Sequence, residues 1–281
     1  MKTSIIMTAL AVVAFSGCAG RPGQEEACGK GPVVTRTAGD LEVTWIKDNA
    51  GERLMPVSLF PDAPQSLIDS LGVQDGIPSS VGTFLVRTDD GLILFDTGMG
   101  GENAGLYAGL DSLGLKTSDI DYIYLTHFHG DHIGGMMAGD SVVFPKAAVY
   151  ASRIEYDSWT TPEKGHEQAI KTMDAYADRL HLFDFSDVLP GGFTAVAAQG
   201  HTPGHTAYLN GKLLVVGDLM HGAALQKPHP EINASFDMDP AMAAKTRKLL
   251  IEYAGQNGLL MAGMHLPEPG FDDYSADSAV N

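Results

Sequence analysis

The sequence of 281 residues holds two cysteines, Cys18 and Cys28, and both precede the bulk of the chain. That placement excludes a disulfide framework, and a cysteine-ligated metal site, in everything that follows. Basic residues are scarce: 18 Lys and Arg stand against 35 Asp and Glu, a formal net charge of −17 with His neutral. A phosphate-binding surface needs clustered Lys and Arg, so this balance argues against a nucleic-acid partner. It leaves small anionic substrates open, because a bound cation can supply local positive charge. The apolar run from Ile5 to Phe15 is too short to span a bilayer as a helix. What is present is a globular balance: hydrophobic residues are 44% and charged residues 19%, unlike a disordered or collagen-like chain.

Lys2, the apolar run and Ser16-Gly17-Cys18 have the basic, apolar and small-residue layout of a secretory signal. Ser-Gly-Cys resembles a bacterial lipobox, with Phe15 where Leu is usual. On that reading residues 1–18 are the signal and Cys18 is lipidated. Residues 19–38 then form a polar, Gly-rich tether, and the protein sits in the cell envelope on the periplasmic or surface side. Ordinary signal cleavage nearby would give a soluble periplasmic or secreted protein instead. Cys28 is an odd thiol in the first case and a partner for Cys18 in an uncleaved form.

Residues 39–281 read as one domain without repeats or a linker. Val81–Arg87 and Leu92–Phe95 are apolar runs around Thr88-Asp89-Asp90-Gly91, a hairpin signal. Asn103–Leu113 reads as a helix stopped by Gly114, and Ile120–Leu125 as a buried strand. Glu167–Leu180 carries a helical stripe of Ile170, Met173, Ala177 and Leu180. Thr194–Ala198 and Leu213–Val216 are strand-like. Asp239-Pro240 starts a helix whose expected inner face is Met242, Thr246, Leu249, Leu250 and Tyr253, before a last strand, Leu259–Ala262. Hairpins followed by alternating strands and helices suggest a layered α/β sandwich with mixed sheets.

The densest chemical signal is Thr126-His127-Phe128-His129-Gly130-Asp131-His132, directly after a predicted strand. So many imidazoles and a carboxylate in one loop are costly to bury unpaired, and together they are a zinc-type ligand set. His127 and His129 can face one ion while Asp131 and His132 face a second. Three later positions sit at strand ends or rigid turns: His205 after Pro203-Gly204, Asp218 after Val215-Val216-Gly217, and His265 after Met261-Ala262-Gly263-Met264. Singly, His205 reads equally as a turn cap, Asp218 as an ordinary turn residue, and His265 as a satisfied buried histidine. Their joint occurrence where α/β folds place function favours a site.

The pattern His127-x-His129-x-Asp131-His132, then His205, Asp218 and His265, resembles the metallo-β-lactamase-fold hydrolases, from about Val81 to Pro269. The resemblance implies an αββα four-layer sandwich with a dinuclear metal site at the sheet edge. It implies one zinc on His127, His129 and His205, a second on Asp131, His132 and His265, and Asp218 bridging both. Asp96, in Phe95-Asp96-Thr97-Gly98, resembles the family aspartate that orients a ligand imidazole.

Within that family the true β-lactamases lack a bridging aspartate. Glyoxalase II proteins add a helical domain, whereas only residues 266–281 follow His265 here. What remains resembles the lactonase and methyl parathion hydrolase group, through Gly200-His201-Thr202-Pro203-Gly204-His205 and Gly263-Met264-His265-Leu266-Pro267. Position 221 is His where the quorum-quenching lactonases have Tyr, so His221 is expected either to face the substrate carbonyl or to bond locally. The resemblance implies a zinc-bridging hydroxide acting on lactones or esters, and phosphotriesters as a further or main substrate class. Asp131 would protonate the leaving group. Trp159, Phe128, Met136 and Met137 are candidate pocket walls or plain core. Other divalent ions and a homodimer are compatible with this reading. The competing functions are redox chemistry at a di-iron version of the site and a non-catalytic zinc-binding surface lipoprotein.

Overall fold

Short apolar runs in the first half of the chain produce a sheet that is built from two hairpins and extended by parallel strands. The computed structural model describes residues 32–161 and 166–275. The export segment, Cys18, Cys28 and the last six residues therefore lie outside the described residues. A seven-stranded sheet runs in the order Val33–Ala38, Leu41–Lys47, Gly82–Thr88, Gly91–Phe95, Tyr122–Tyr124, Ala148–Ser152 and Leu180–Phe183. The first four strands pair antiparallel and the last three add in parallel. Thr88 pairs with Gly91, so Asp89 and Asp90 alone make the hairpin loop.

Val33–Ala38 corrects the expected tether, which ran to residue 38. Val34 and Ala38 are buried and the strand pairs along its whole length with Leu41–Lys47, because the alternation that reads as polar linker also fits an edge strand.

A six-stranded sheet follows: Val188–Leu189, Phe193–Ala197, Thr206–Asn210, Leu213–Gly217, Leu260–Gly263 and Phe271–Asp273. It is antiparallel except between Leu213–Gly217 and Leu260–Gly263. The three-residue strand Phe271–Asp273 closes this sheet, pairing with Leu260–Ala262. Trp45, Phe84, Phe95, Tyr124, Phe193 and Tyr208 fill the space between the sheets. Helices Gly105–Ser112 and Glu167–Ala175 cover the outer face of the first sheet through Leu106, Leu110 and Met173. Helix Pro240–Asn257 covers the second through Leu250 and Ala254. This is the αββα sandwich.

Two helix expectations shift. Glu167–Leu180 is a helix only to Ala175, since Leu180 already belongs to a strand. The last helix buries Ala243, Thr246, Arg247, Leu250 and Ala254, while Met242, Leu249 and Tyr253 face outward. Arg247 turns inward because its guanidinium finds Leu219, Pro230 and Ile232 carbonyls and the Asp237 carboxylate.

A fourth apolar cluster sits beside the sandwich. The antiparallel strand pair Arg53–Met55 and Ile77–Ser79, with the segment between them that includes helix Gln65–Leu71, packs Met55, Phe60, Ile68 and Ile77 against Leu225 and Ile232.

Candidate metal centre

Strand Tyr122–Tyr124 delivers Thr126 and His127 to the sheet edge, and a single helical turn, Gly130–Ile133, begins just after His129. Asp218 follows strand Leu213–Gly217 and His265 follows Leu260–Gly263, so both sheets contribute from the same edge. His127, His129, His201 and Asp218 hold donor atoms within 4.8 Å of one another, and so do Asp131, His132 and His265. Asp218 stands between the groups. Its Oδ1 is 3.1 Å from His132 Nε2, and its Oδ2 is 3.1 Å from His265 Nε2 and 3.7 Å from His127 Nε2.

The outer nitrogens of these rings fix where their lone pairs point. Thr126 Oγ1 donates its hydrogen to Asp96, so it accepts from His127 Nδ1. His132 Nδ1 donates to Asp96 at 2.7 Å, His201 Nδ1 to Asp237 at 3.0 Å, and His265 Nδ1 to the Ser80 carbonyl at 2.7 Å. In its neutral form each ring then presents a bare Nε2 inward. His127 and His201 both aim theirs at His129 Nδ1, 2.9 Å away in each case. His132 Nε2 and Asp218 Oδ1, two acceptors, face each other buried and without a hydrogen-bond partner. Acceptors converging on acceptors out of water repel unless a cation lies among them. The donor set fits divalent ions, and metal-bound histidines are held by their far nitrogens in this way.

Charge preferences divide the cluster into two sides. Burial lowers His127 well below its ordinary range and His129 to about 3, so both rings are neutral donors. Burial also disfavours charge on His265, yet Asp218 and Asp131 raise it to about 10. The carboxylate side of the cluster calls for positive charge.

His205 is not in the set, which corrects its expected place on the first zinc. Its Nδ1 donates to the Ala198 carbonyl at 2.8 Å and its Nε2 accepts the Asp218 main-chain N–H at 3.1 Å, leaving no lone pair for a metal. His201, four residues earlier, takes that position. Both lie in one hexapeptide, and Gly200, with φ of +129°, turns the chain so that His201 faces the site. His221 lines the cavity above the cluster and also bonds locally: its Nε2 lies 2.9 Å from Asp218 Oδ2, and its Nδ1 is buried without a partner.

Three buried groups hold this frame. Asp96, with φ of +57°, accepts from Thr126 N–H, Thr126 Oγ1 and His132 at once. Glu155, 1% exposed, accepts from Phe128 N–H, Thr202 Oγ1 and Gly204 N–H, tying the His127–His132 loop to the His201 loop. Asp237 joins His201 to Arg247. Of these only Asp96 was singled out beforehand. Glu155 and Asp237 lie in helix and turn stretches where a carboxylate carries no local signal.

A cavity of about 390 Å³ opens over the cluster, walled by Arg53, Met55, Pro56, Leu59 and Phe236. Asp131 lines it, and its side chain is 30% exposed. Of the two readings open for the four candidate wall residues, core packing is the one observed. Phe128, Met136 and Trp159 are buried in the core of the first sheet, and half-buried Met137 packs on that core. Trp159 supports the site from behind, its ring centroid 5.1 Å from that of His129.

The model of the metallo-beta-lactamase superfamily matches residues 76–265, a span containing every donor named above. The chain belongs to that superfamily. Among solved members, the hydrolase AbOPH is 30% identical with a TM-score of 0.76, over 88% of this chain and 94% of that one. AidC, a dizinc quorum-quenching lactonase in complex with a product, is 29% identical with a TM-score of 0.76, over 86% and 92%. A probable metallo-hydrolase of Mycobacterium tuberculosis is 35% identical over 168 residues, 47% of this chain and 53% of that protein. The chain thus spans about half the length of the curated superfamily relatives it matches.

Proposed function

We propose that the protein is a metal-dependent hydrolase that opens lactones and related esters at a pair of divalent ions, zinc foremost. The observation that carries this is the inward convergence of bare histidine nitrogens and the Asp218 carboxylate beneath a partly apolar cavity. The similarity to a lactonase and to a hydrolase over nearly the whole of each chain supports the choice of bond. His127, His129 and His201 would hold one ion, Asp131, His132 and His265 the other, with Asp218 shared. Ions so held supply Lewis acidity and an activated water at neutral pH.

The chain's own groups do the rest. Asp96, Asp237 and the Ser80 carbonyl lock ring orientation, and His221 steadies Asp218. Asp131, the most accessible of the carboxylates in the cluster, is placed to pass a proton to the departing alkoxide. Met55, Leu59 and Phe236 exclude water from the bound ester.

The test is a panel of lactones, aryl esters, phosphotriesters and a cephalosporin, run on protein of measured metal content. Turnover of lactones or esters that disappears with chelation and returns with zinc is expected. Two bound equivalents without turnover of any panel member would overturn the reading. The expected lipid anchor rests on Ser16-Gly17-Cys18 alone, and radiolabelled palmitate incorporation that is lost in Cys18→Ala tests it.

A further inference from the structure

Arg53 stands apart from the other charged groups around the site. It lies on the short strand Arg53–Met55, opposite Ser79, and shares a strand face with Met55, two residues on. Both side chains line the 390 Å³ cavity above the donor cluster. Arg53 also lines an adjoining cavity of about 690 Å³, and it is the residue common to the two. Its guanidinium makes no hydrogen bond or ion pair among the described residues, and its Nε is buried without a partner.

Several acids nearby are already engaged. Asp48 accepts from the Met99 and Leu106 N–H groups, and Glu268 pairs with Lys47. Asp131 faces His265, and Asp218 faces His132 and His265. A half-buried guanidinium left unmatched at the mouth of a site, in a chain with this acidic excess, is a group waiting for a ligand anion. Its planar fork matches a carboxylate.

We propose that Arg53 is the anion-recognition group of the pocket, and that the preferred substrates are esters or lactones bearing a carboxylate away from the scissile bond. This rests on the hydrolase reading for the bond cleaved, but not for the anion bound.

The test compares the mono-4-nitrophenyl ester of glutarate with its neutral methyl 4-nitrophenyl diester, on zinc-loaded wild type, R53M and R53K. Wild type should favour the anionic ester in kcat/KM by about tenfold or more, a margin that shrinks with added salt. The ratio should fall towards one in R53M and survive in part in R53K. A wild-type ratio near one, or an unchanged ratio in R53M, would overturn the proposal. Calorimetry with glutarate on chelator-treated protein separates this from failure of the hydrolase reading. Glutarate binding to wild type that is lost in R53M supports the anion site even if neither ester turns over. Equal binding to both, or none to wild type, refutes it.

Discussion

The main-chain N–H of Asp218 donates to Nε2 of His205 at 3.1 Å, so the residue at the centre of the cluster is fixed from behind by a histidine ring whose other nitrogen donates to the Ala198 carbonyl. His205 and His201 therefore have separable roles.

His201→Ala should lose one of two metal equivalents and most activity, and in chelator it should cost less stability than His205→Ala, because Asp237 keeps Arg247 and the Ala234 N–H. His205→Ala leaves the Asp218 N–H and the Ala198 carbonyl buried and unpaired, which should cost about 2–4 kcal/mol of stability. Denaturant unfolding of the chelated proteins, beside metal analysis, checks both. Equal metal loss in the two variants would contradict the assignment.

Asp96→Asn keeps the backbone, since Asn tolerates positive φ, but places a donor against the donors of Thr126 and His132. Zinc affinity should fall about 10–100-fold. Competition with a chromophoric chelator measures it.

Glu155 links pH to stability. Burial raises its carboxyl from 4.5 to about 7. A raised pKa means that the folded chain binds the proton more tightly than the unfolded one. The stabilisation is complete below about 4.5 and is lost as pH rises through about 7. In chelated protein, wild type should lose stability between pH 5 and 8 relative to Glu155→Gln. Parallel pH profiles for the two would remove Glu155 as the cause.

Gly217 has φ of +55°, and a Cβ there would lie 2.5 Å from His205 Nε2 and 2.8 Å from Thr126. Gly217→Ala should destabilise the chain by about 2 kcal/mol or more and weaken metal retention with it. Thermal melts with and without zinc separate the two effects.

Local pattern carried much of this architecture. Asp89-Asp90 between apolar runs makes the hairpin, and the His127–His132 loop is legible because its ligands are close in sequence. What was not legible depends on distant partners. His201 and His205 differ through Asp237, on a later turn, and the Ala198 carbonyl, which no local feature announces. The inner face of the last helix was misread because apolar Met242 and Leu249 face outward while Arg247 finds four buried acceptors. The cavity walls were missed because Met55 and Phe236 meet only in the folded chain.

Four of the wall residues, Arg53, Met55, Pro56 and Leu59, precede residue 76, where the match to the superfamily begins. Every candidate metal donor follows it. Most of the named cavity wall and all of the candidate donors thus lie on different stretches of the chain. Substitutions confined to Arg53, Met55, Pro56 and Leu59 should change which molecules fit the cavity while leaving every donor atom in place, so that selection can tune the two independently.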